Sequence, residues 1–457
     1  MTQPQPAALA LGTERIRKLL VQYALPAIIA MTASSLYNIV DSIFIGQGVG
    51  ALAISGLALT FPLMNLSAAF GAMVGVGAAT LISMRLGQRD YETARQVLGN
   101  VLTLNTLIGV AFAVVMLLFL DPILYFFGAS EATIGYARDY MEIILAGNVI
   151  THMYLGLNAV MRAAGHPRKS MHATILTVIL NAILDPIFIF GFDWGIRGAA
   201  IATILAQIVS LAWQLHFLSN KNELLHFRRG IYKLRRSIVG NILSIGMAPF
   251  LMNLAACFIT ILINRSFKEH GGDLMIGAYG ITNRVAFLFI MIVMGINQGM
   301  QPIAGYNYGA RQYDRVLRVF RLSVYGASAL TVVAFLLGEL LPQPIIYLFT
   351  TDQTLVDLAV TGMRLSFMMF PLVGFQMVAT NLFQSLGMAP KAIFLSLSRQ
   401  LLLLLPALLL LPSLFGACGL DSSWGVWCAM PLSDLLSAVV TLTLLIPQLR
   451  KFRALIH

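Results

Sequence analysis

"LGQRDYETARQ" (residues 86–96) and "YGARQYDRVLR" (residues 308–318) are the stretches from which the architecture follows. Laid over one another at a shift of 222, Gly87, Arg89 and Tyr91 fall on Gly309, Arg311 and Tyr313. Each stretch follows a long apolar run and precedes another, so it is a polar connection between two hydrophobic segments. The same shift carries Gly165 and Lys169 of "GHPRK" onto Gly387 and Lys391 of "GMAPK", and Gly77 onto Gly299. One more residue of shift places Pro26 on Pro249. The chain is therefore an internal duplication.

The segments between these connections are greasy enough to cross a bilayer. Of 457 residues 58% are hydrophobic and 11% charged, with a mean hydropathy of +0.82, against about a quarter charged in a soluble domain. Windows of about 20 apolar residues, the length of a membrane-crossing helix, number twelve, centred near Thr32, Asn65, Thr106, Asn148, Leu180, Leu205, Leu254, Phe289, Leu330, Pro371, Leu402 and Leu436. Six spans per half is an even number, so both halves enter the membrane from the same side and the repeat is parallel. The expectation is an all-α membrane protein of twelve transmembrane helices in two pseudo-symmetric six-helix bundles. Residues 1–220 form the first lobe, 221–238 a cytoplasmic linker and 239–457 the second lobe, with a cavity expected where the bundles meet.

Charge sets the orientation. The formal net charge of +11 suggests an acidic partner such as nucleic acid, but 24 of the 30 basic residues sit at the two ends or in every second connection. That is the positive-inside pattern, which reads as a protein of the cytoplasmic (inner) membrane with both termini in the cytoplasm. Arg399 is counted here with an inner connection. The alternate connections, with Asp121, Glu131, Asp193, Asp273, Asp352, Asp357 and Asp421, then face outward. The first twenty residues lack the short apolar core and cleavage site of a secretory signal. Cys257, Cys418 and Cys428 show no CxxC or Cys/His spacing and read as buried apolar filler.

Two acidic residues stand inside the spans. "YNIVDSIFIG" (residues 37–46) places Asp41 one helical turn after Tyr37 and Asn38, and "NAILDPIFIFG" (residues 181–191) places Asp185 one turn after Asn181 and directly before Pro186. Proline removes a backbone donor and frees a carbonyl. Thr203 and Gln207 form a similar one-turn pair on span six. A carboxylate at membrane depth is unfavourable by about 2.5 kcal/mol or more, so it faces a cavity or a partner. The duplication acts as a control: the position of Asp41 carries Asn264 in the second half, and around that of Asp185 there is only "LLPALL". A packing need common to both bundles does not produce that asymmetry. Carboxylates, amides and a hydroxyl suit a hard cation such as Na⁺, bound by Asp41, Asn181, Asp185 and Thr203. Desolvation and mutual repulsion would equally make one carboxyl a proton carrier. In span twelve Asp434 has no polar neighbour in sequence. Methionines of the second half, Met291 among them, suit a pocket for varied amphiphiles.

"YNIVDSIFIG" followed by "GALAISGLAL", then "NAILDPIFIFG", "GINQGMQPIAGYNYGARQYDRV" and the duplicated glycine-to-lysine connections resemble the multidrug and toxic compound extrusion (MATE) family, in its DinF-like prokaryotic branch, over residues 15–453. The resemblance implies the MATE or MOP-type fold: two six-helix lobes rocking between outward and inward states. It implies a monomeric multidrug efflux antiporter that exports cationic or amphiphilic small molecules in exchange for H⁺ or Na⁺, without a cofactor. It also implies that Tyr37, Asp41, Asn181, Asp185 and Thr203 form the cation-coupling cluster and Pro26 a gating kink. Asn158 is implied as a cavity position, and Asn38, Gln207, Asn264, Met291 and Gln298 are the other candidates for the substrate cavity. The family's other branch places acidic coupling residues in the second lobe, where this chain offers Asn264, Arg265 and Arg364.

Two competing readings share some of these features. A flippase for a lipid-linked metabolite would have the same two lobes but calls for a more cationic cavity. A membrane enzyme lacks support from motifs, since HExxH, GxSxG and GxxxxGK[ST] are all absent. The seven histidines are scattered and read as surface or connection residues.

Overall fold

The computed structural model describes residues 7–456, the side chains of Ala51 and Asp273 excepted. The described residues form helices and connections, with no strand. This is what lipid demands, because a helix satisfies its own backbone donors and acceptors where water cannot. Ten helices are long and apolar enough to cross a membrane, and two bent pairs bring the number to twelve when each pair counts as one span. Span one is Ile16–Gly48, span two Leu52–Gly87, span three Tyr91–Leu118, span five Pro167–Gly191 and span six Gly195–Leu218. Spans seven to nine are Arg236–Gly272, Leu274–Gly309 and Tyr313–Leu340; spans eleven and twelve are Ala389–Ala417 and Ser422–Ile456. Large apolar side chains such as Ile39, Ile183 and Leu409 stand exposed along them, as a lipid-facing surface requires.

The bends fall in the same place in each half. Span four breaks by 57° between Ile134–Ala146 and Asn148–Ala163, and span ten by 48° between Gln353–Phe367 and Phe370–Ser385. At the first break the Asn148 amide donates to the Gly109 carbonyl of span three (3.1 Å) and its oxygen accepts from Ser67 of span two. His152, one turn on, is fully buried with Nε2 3.3 Å from Ser67 Oγ. It is thus a packed residue behind the bend and not a surface histidine. At the second break Pro371 lies in the first turn of the new helix and lacks the donor that would continue the old one.

Residues Met1–Glu14, Leu25–Phe250 and Gly305–Arg311 make one compact unit, and Arg15–Ala24, Leu251–Ala304 and Gln312–His457 make another. Spans one and seven each pass from one unit to the other beside their repeat-related prolines, Pro26 and Pro249. Span one is nonetheless a continuous helix through Pro26. The first unit has an apolar core around Leu63, Tyr140, Met141 and Leu145. The core of the second lies around Phe267, Phe367 and Trp427, whose indole Nε1 points at Met275 Sδ, 3.3 Å away.

The duplicated connections that open the sequence reading are duplicated in conformation. Arg89 and Arg311 both adopt left-handed backbone angles, φ 62° and 59°. Just before them Gly87 and Gly309 bring two helix ends into backbone contact within the first unit. A Cβ on Gly87 would stand 1.9 Å from the Tyr306 carbonyl oxygen, and one on Gly309 2.1 Å from that of Met84.

The connection between the halves lies between Leu218 and Arg236 and is laid against span three: Asn100 Nδ2 donates to the carbonyls of Ile231 (3.2 Å) and Lys233 (3.1 Å) and its oxygen accepts from Arg235 N–H. Two expectations change. Arg399 lies inside span eleven, in a π-helical segment Ser398–Leu404, and not in a connection. Cys418 is exposed, and Cys257 and Cys428 are only half-buried.

Gly87→Val and Gly309→Val should each destabilise the fold by about 3 kcal/mol, the cost of overpacking against backbone that cannot yield. Gly240→Val, at a glycine with open space around it, serves as the control. Thermal melting in detergent micelles with equal midpoints for all three would refute the contact.

Candidate functional site

Four spans of the first unit converge on the two carboxylates. Asp41 on span one and Asp185 on span five lie against one another, 8% and 0% exposed. Tyr37, one turn before Asp41, donates its hydroxyl to Asp185 Oδ2 at 3.1 Å. Asn181, one turn before Asp185, donates its amide to Thr203 Oγ1 of span six at 3.2 Å, and Thr203 donates onward to the Ala199 carbonyl at 3.1 Å. Pro186 ends the regular α-helix directly after Asp185 and a π-helical turn, Ile187–Gly191, follows. Such turns leave the backbone irregular where a site is built.

The sequence reading missed Tyr140. It lies on the first half of span four, is 2% exposed, and neighbours Asp41, Asp185 and Thr203. The duplication carries a signal for it: its counterpart in the second half is Gly362, so Tyr140, like Asp41 and Asp185, is peculiar to one bundle.

Two adjacent buried carboxyl groups repel when both are charged, and the repulsion grows as water is excluded. No lysine or arginine contacts either one among the described residues. Asp41 Oδ1, Asp185 Oδ1 and Asn181 Oδ1 are buried without any donor. Buried acceptors are ordinarily satisfied, so this cluster calls for a mobile positive charge. Its all-oxygen donor set suits a proton or a hard cation.

The other predicted residues are distributed elsewhere. Pro26 is buried in span one, fifteen residues before Asp41. Asn38 is exposed and outside the cluster, because the buried flank of span one runs through Tyr37 and Asp41. Gln207 accepts from Thr151 of span four at 2.6 Å. Asn158 donates to Thr174 of span five at 2.9 Å. Asn264, Met291 and Gln298 are half-buried members of the second unit.

In that unit Asp434, 3% exposed, has the partner its sequence neighbourhood lacks. Arg399 Nε donates to its Oδ1 at 2.6 Å, and Gln376 Nε2 donates to its backbone carbonyl at 2.6 Å. Here the compensating charge is built into the chain.

Comparison with known proteins follows the duplication. The MatE family model matches residues 26–187 and again 245–409, in the register of the internal repeat. The multidrug export protein MepA of Staphylococcus haemolyticus (strain JCSC1435) is 30% identical over 404 residues, covering 88% of this chain and 89% of that protein. MepA of Staphylococcus aureus (strain N315) is 27% identical over 423 residues, 93% of each. Among solved structures, the outward-facing conformation of a multidrug resistance MATE family transporter of the MOP superfamily superposes with a TM-score of 0.90. It is 24% identical and covers 99% of this chain and 100% of that one, so the likeness is one of fold.

Removing either member of the Arg399–Asp434 pair leaves the other uncompensated. Arg399→Gln and Asp434→Asn should each lower stability by about 2 kcal/mol, and the double variant should lose less than the two singles together. Strict additivity in thermal unfolding would show that the two side chains do not stabilise one another.

Proposed function

The chain belongs to the MatE family of membrane transporters, and from that premise we propose that it is a multidrug efflux antiporter, exporting cationic or amphiphilic organic compounds in exchange for H⁺ or Na⁺. The observation that carries this reading is the Asp41–Asp185 pair: two buried carboxyl groups with unsatisfied oxygens and, among the described residues, no lysine or arginine beside them. The relatives called multidrug export proteins support the drug side of the exchange.

In this mechanism one cation relieves the repulsion within the pair, held by Asp41 and Asp185 with Asn181 and Thr203 as further oxygens and with Tyr37 and Tyr140 bordering the site. Binding of that cation favours one of two conformations, and that conformation binds the drug less tightly. A ligand moves such an equilibrium only by its difference in affinity for the two states. Pro26 is where span one adjusts, since its missing donor weakens the helix there. The protein acts in the cytoplasmic membrane as a monomer with both termini inside, as its basic connections favour. Residues 1–220 and 239–457 act as the two six-helix lobes, and Asn38, Asn158, Gln207, Asn264, Met291 and Gln298 contribute polar and apolar surface to the substrate cavity.

The test is reconstitution in vesicles holding a cationic dye, with a proton gradient and a Na⁺ gradient imposed separately. One of the two should accelerate export by about tenfold or more, the scale of a typical coupling free energy. Asp41→Asn and Asp185→Asn should each abolish that acceleration while the protein still reaches the membrane and melts as a single species. Gradient-driven export by either variant at the unmodified rate would remove the role assigned to the pair.

A further inference from the structure

The polar side chains do not stop at the carboxyl cluster. Span five presents Ser170, Thr174, Thr177, Asn181 and Asp185, spaced by four, three, four and four residues, which is one face of a helix. Antiparallel to it, span six presents Thr203, Ser210 and Gln214. All lie within the first unit. From Ser170 to Asp185 the face runs fifteen residues, about 22 Å, most of the way across a hydrocarbon core of about 30 Å.

The structure joins the two faces rung by rung. Beyond the Asn181–Thr203 rung, Thr177 Oγ1 donates to Ser210 Oγ at 2.7 Å, and Ser210 donates to the Ala173 carbonyl at 3.1 Å. Next, Thr174 accepts from Asn158, with Tyr154 beside Asn158, Thr174 and Thr177. At the far end Arg162 Nη1 donates to Ser170 Oγ at 3.1 Å and to Asn158 Oδ1 at 3.3 Å. Those partners are neutral, and among the described residues no carboxylate pairs with the guanidinium.

Successive rungs are one helical turn, about 5 Å, apart on span five, while Thr203 and Ser210 are two turns, about 10 Å, apart on span six. Those gaps are too long for direct hydrogen bonds and suit bridging water. Two acceptors along the face, Asn181 Oδ1 and Gln214 Oε1, are 2% and 0% exposed by residue and have no protein donor. Buried polar atoms left in this way are where internal water sits. Hydroxyl side chains used only to glue helices would leave no such remainder.

We propose that this face is a hydrated path by which the coupling cation leaves the Asp41–Asp185 pair toward the cytoplasm, with Arg162 as the charge that closes its inner mouth. The proposal rests on the antiport reading above and adds the route. While Arg162 is held by Asn158 and Ser170, a cation must pass a fixed positive charge, which is the means by which pores exclude cations. Release of Arg162 from those two oxygens opens the mouth.

The middle rung tests it. Thr177→Val with Ser210→Ala removes both hydroxyls and leaves Asp41 and Asp185 untouched. In vesicles carrying a proton gradient or a Na⁺ gradient, gradient-driven dye export should fall about tenfold or more. Dye binding in detergent, and its release by acid or by Na⁺, should stay within about twofold of the unmodified protein. Thr177→Ser, which restores a hydroxyl, should export normally. In a chain with Cys257, Cys418 and Cys428 replaced by serine and with Arg162→Ala to open the inner mouth, Thr174→Cys should react with a small membrane-impermeant thiol reagent from the cytoplasmic side. Normal export by the double variant, a parallel loss of dye binding, or an unreactive cysteine at position 174 would each overturn the path. If Asp41→Asn and Asp185→Asn still couple, the antiport reading fails; if they are dead and the double variant is normal, only the route fails.

Discussion

A carboxyl group inside a bilayer has no water to solvate it, and the first unit holds two in contact. Everything distinctive about that unit answers this requirement. Tyr37 and Tyr140 border the pair, Asn181 and Thr203 extend it, and oxygens are left over that no side chain among the described residues satisfies. The second unit meets the same difficulty at Asp434 in the opposite way, with Arg399 as a permanent counter-ion. One bundle carries a counter-charge in the chain and the other leaves its carboxyl oxygens unmet by any lysine or arginine among the described residues, the contrast on which the proposed exchange rests.

Irregular backbone accompanies both arrangements. A π-helical turn follows Asp185, and another contains Arg399. In each case a helix has given up its regular ladder beside an ionisable side chain. The cause on span five is Pro186, whose ring lacks the donor the ladder needs. The second segment, "SRQLLLL" (residues 398–404), is followed two residues on by Pro406, which lacks the same donor.

Much of this was legible before any coordinates. Twelve apolar windows, an even number per half and basic residues in alternate connections lead to the fold, because lipid permits so few solutions. The acidic pair, Tyr37 and Asn181 are legible for the same reason, that a polar residue at membrane depth stands out against leucine, whereas Asn38, equally close in sequence, lies outside the cluster. Tyr140 is not legible, since tyrosine is at home in apolar segments and only its glycine counterpart marks it. Arg399 was misplaced because a lone arginine near a span end looks like a connection, and its partner Asp434 is 35 residues away. His152 looks peripheral in sequence because its burial behind a bend depends on Asn148, Ser67 and Gly109, which belong to three different spans. The centres of the bent spans were found, but their angles follow from tertiary contacts at Asn148 that no local pattern records.

The assignment of chain segments to the two units carries a lesson for anyone hoping to treat the protein as interchangeable modules. Arg15–Ala24 packs with the second unit, and the stretch up to Phe250 stays with the first. A chimera spliced within the polar connection after Leu218 would divorce each of those segments from its proper neighbours. Successful grafts between paralogues would have to be cut beside Pro26 and Pro249, where the polypeptide changes allegiance, and also after Glu14 and on either side of Gly305–Arg311, three exchanges of sequence in place of one.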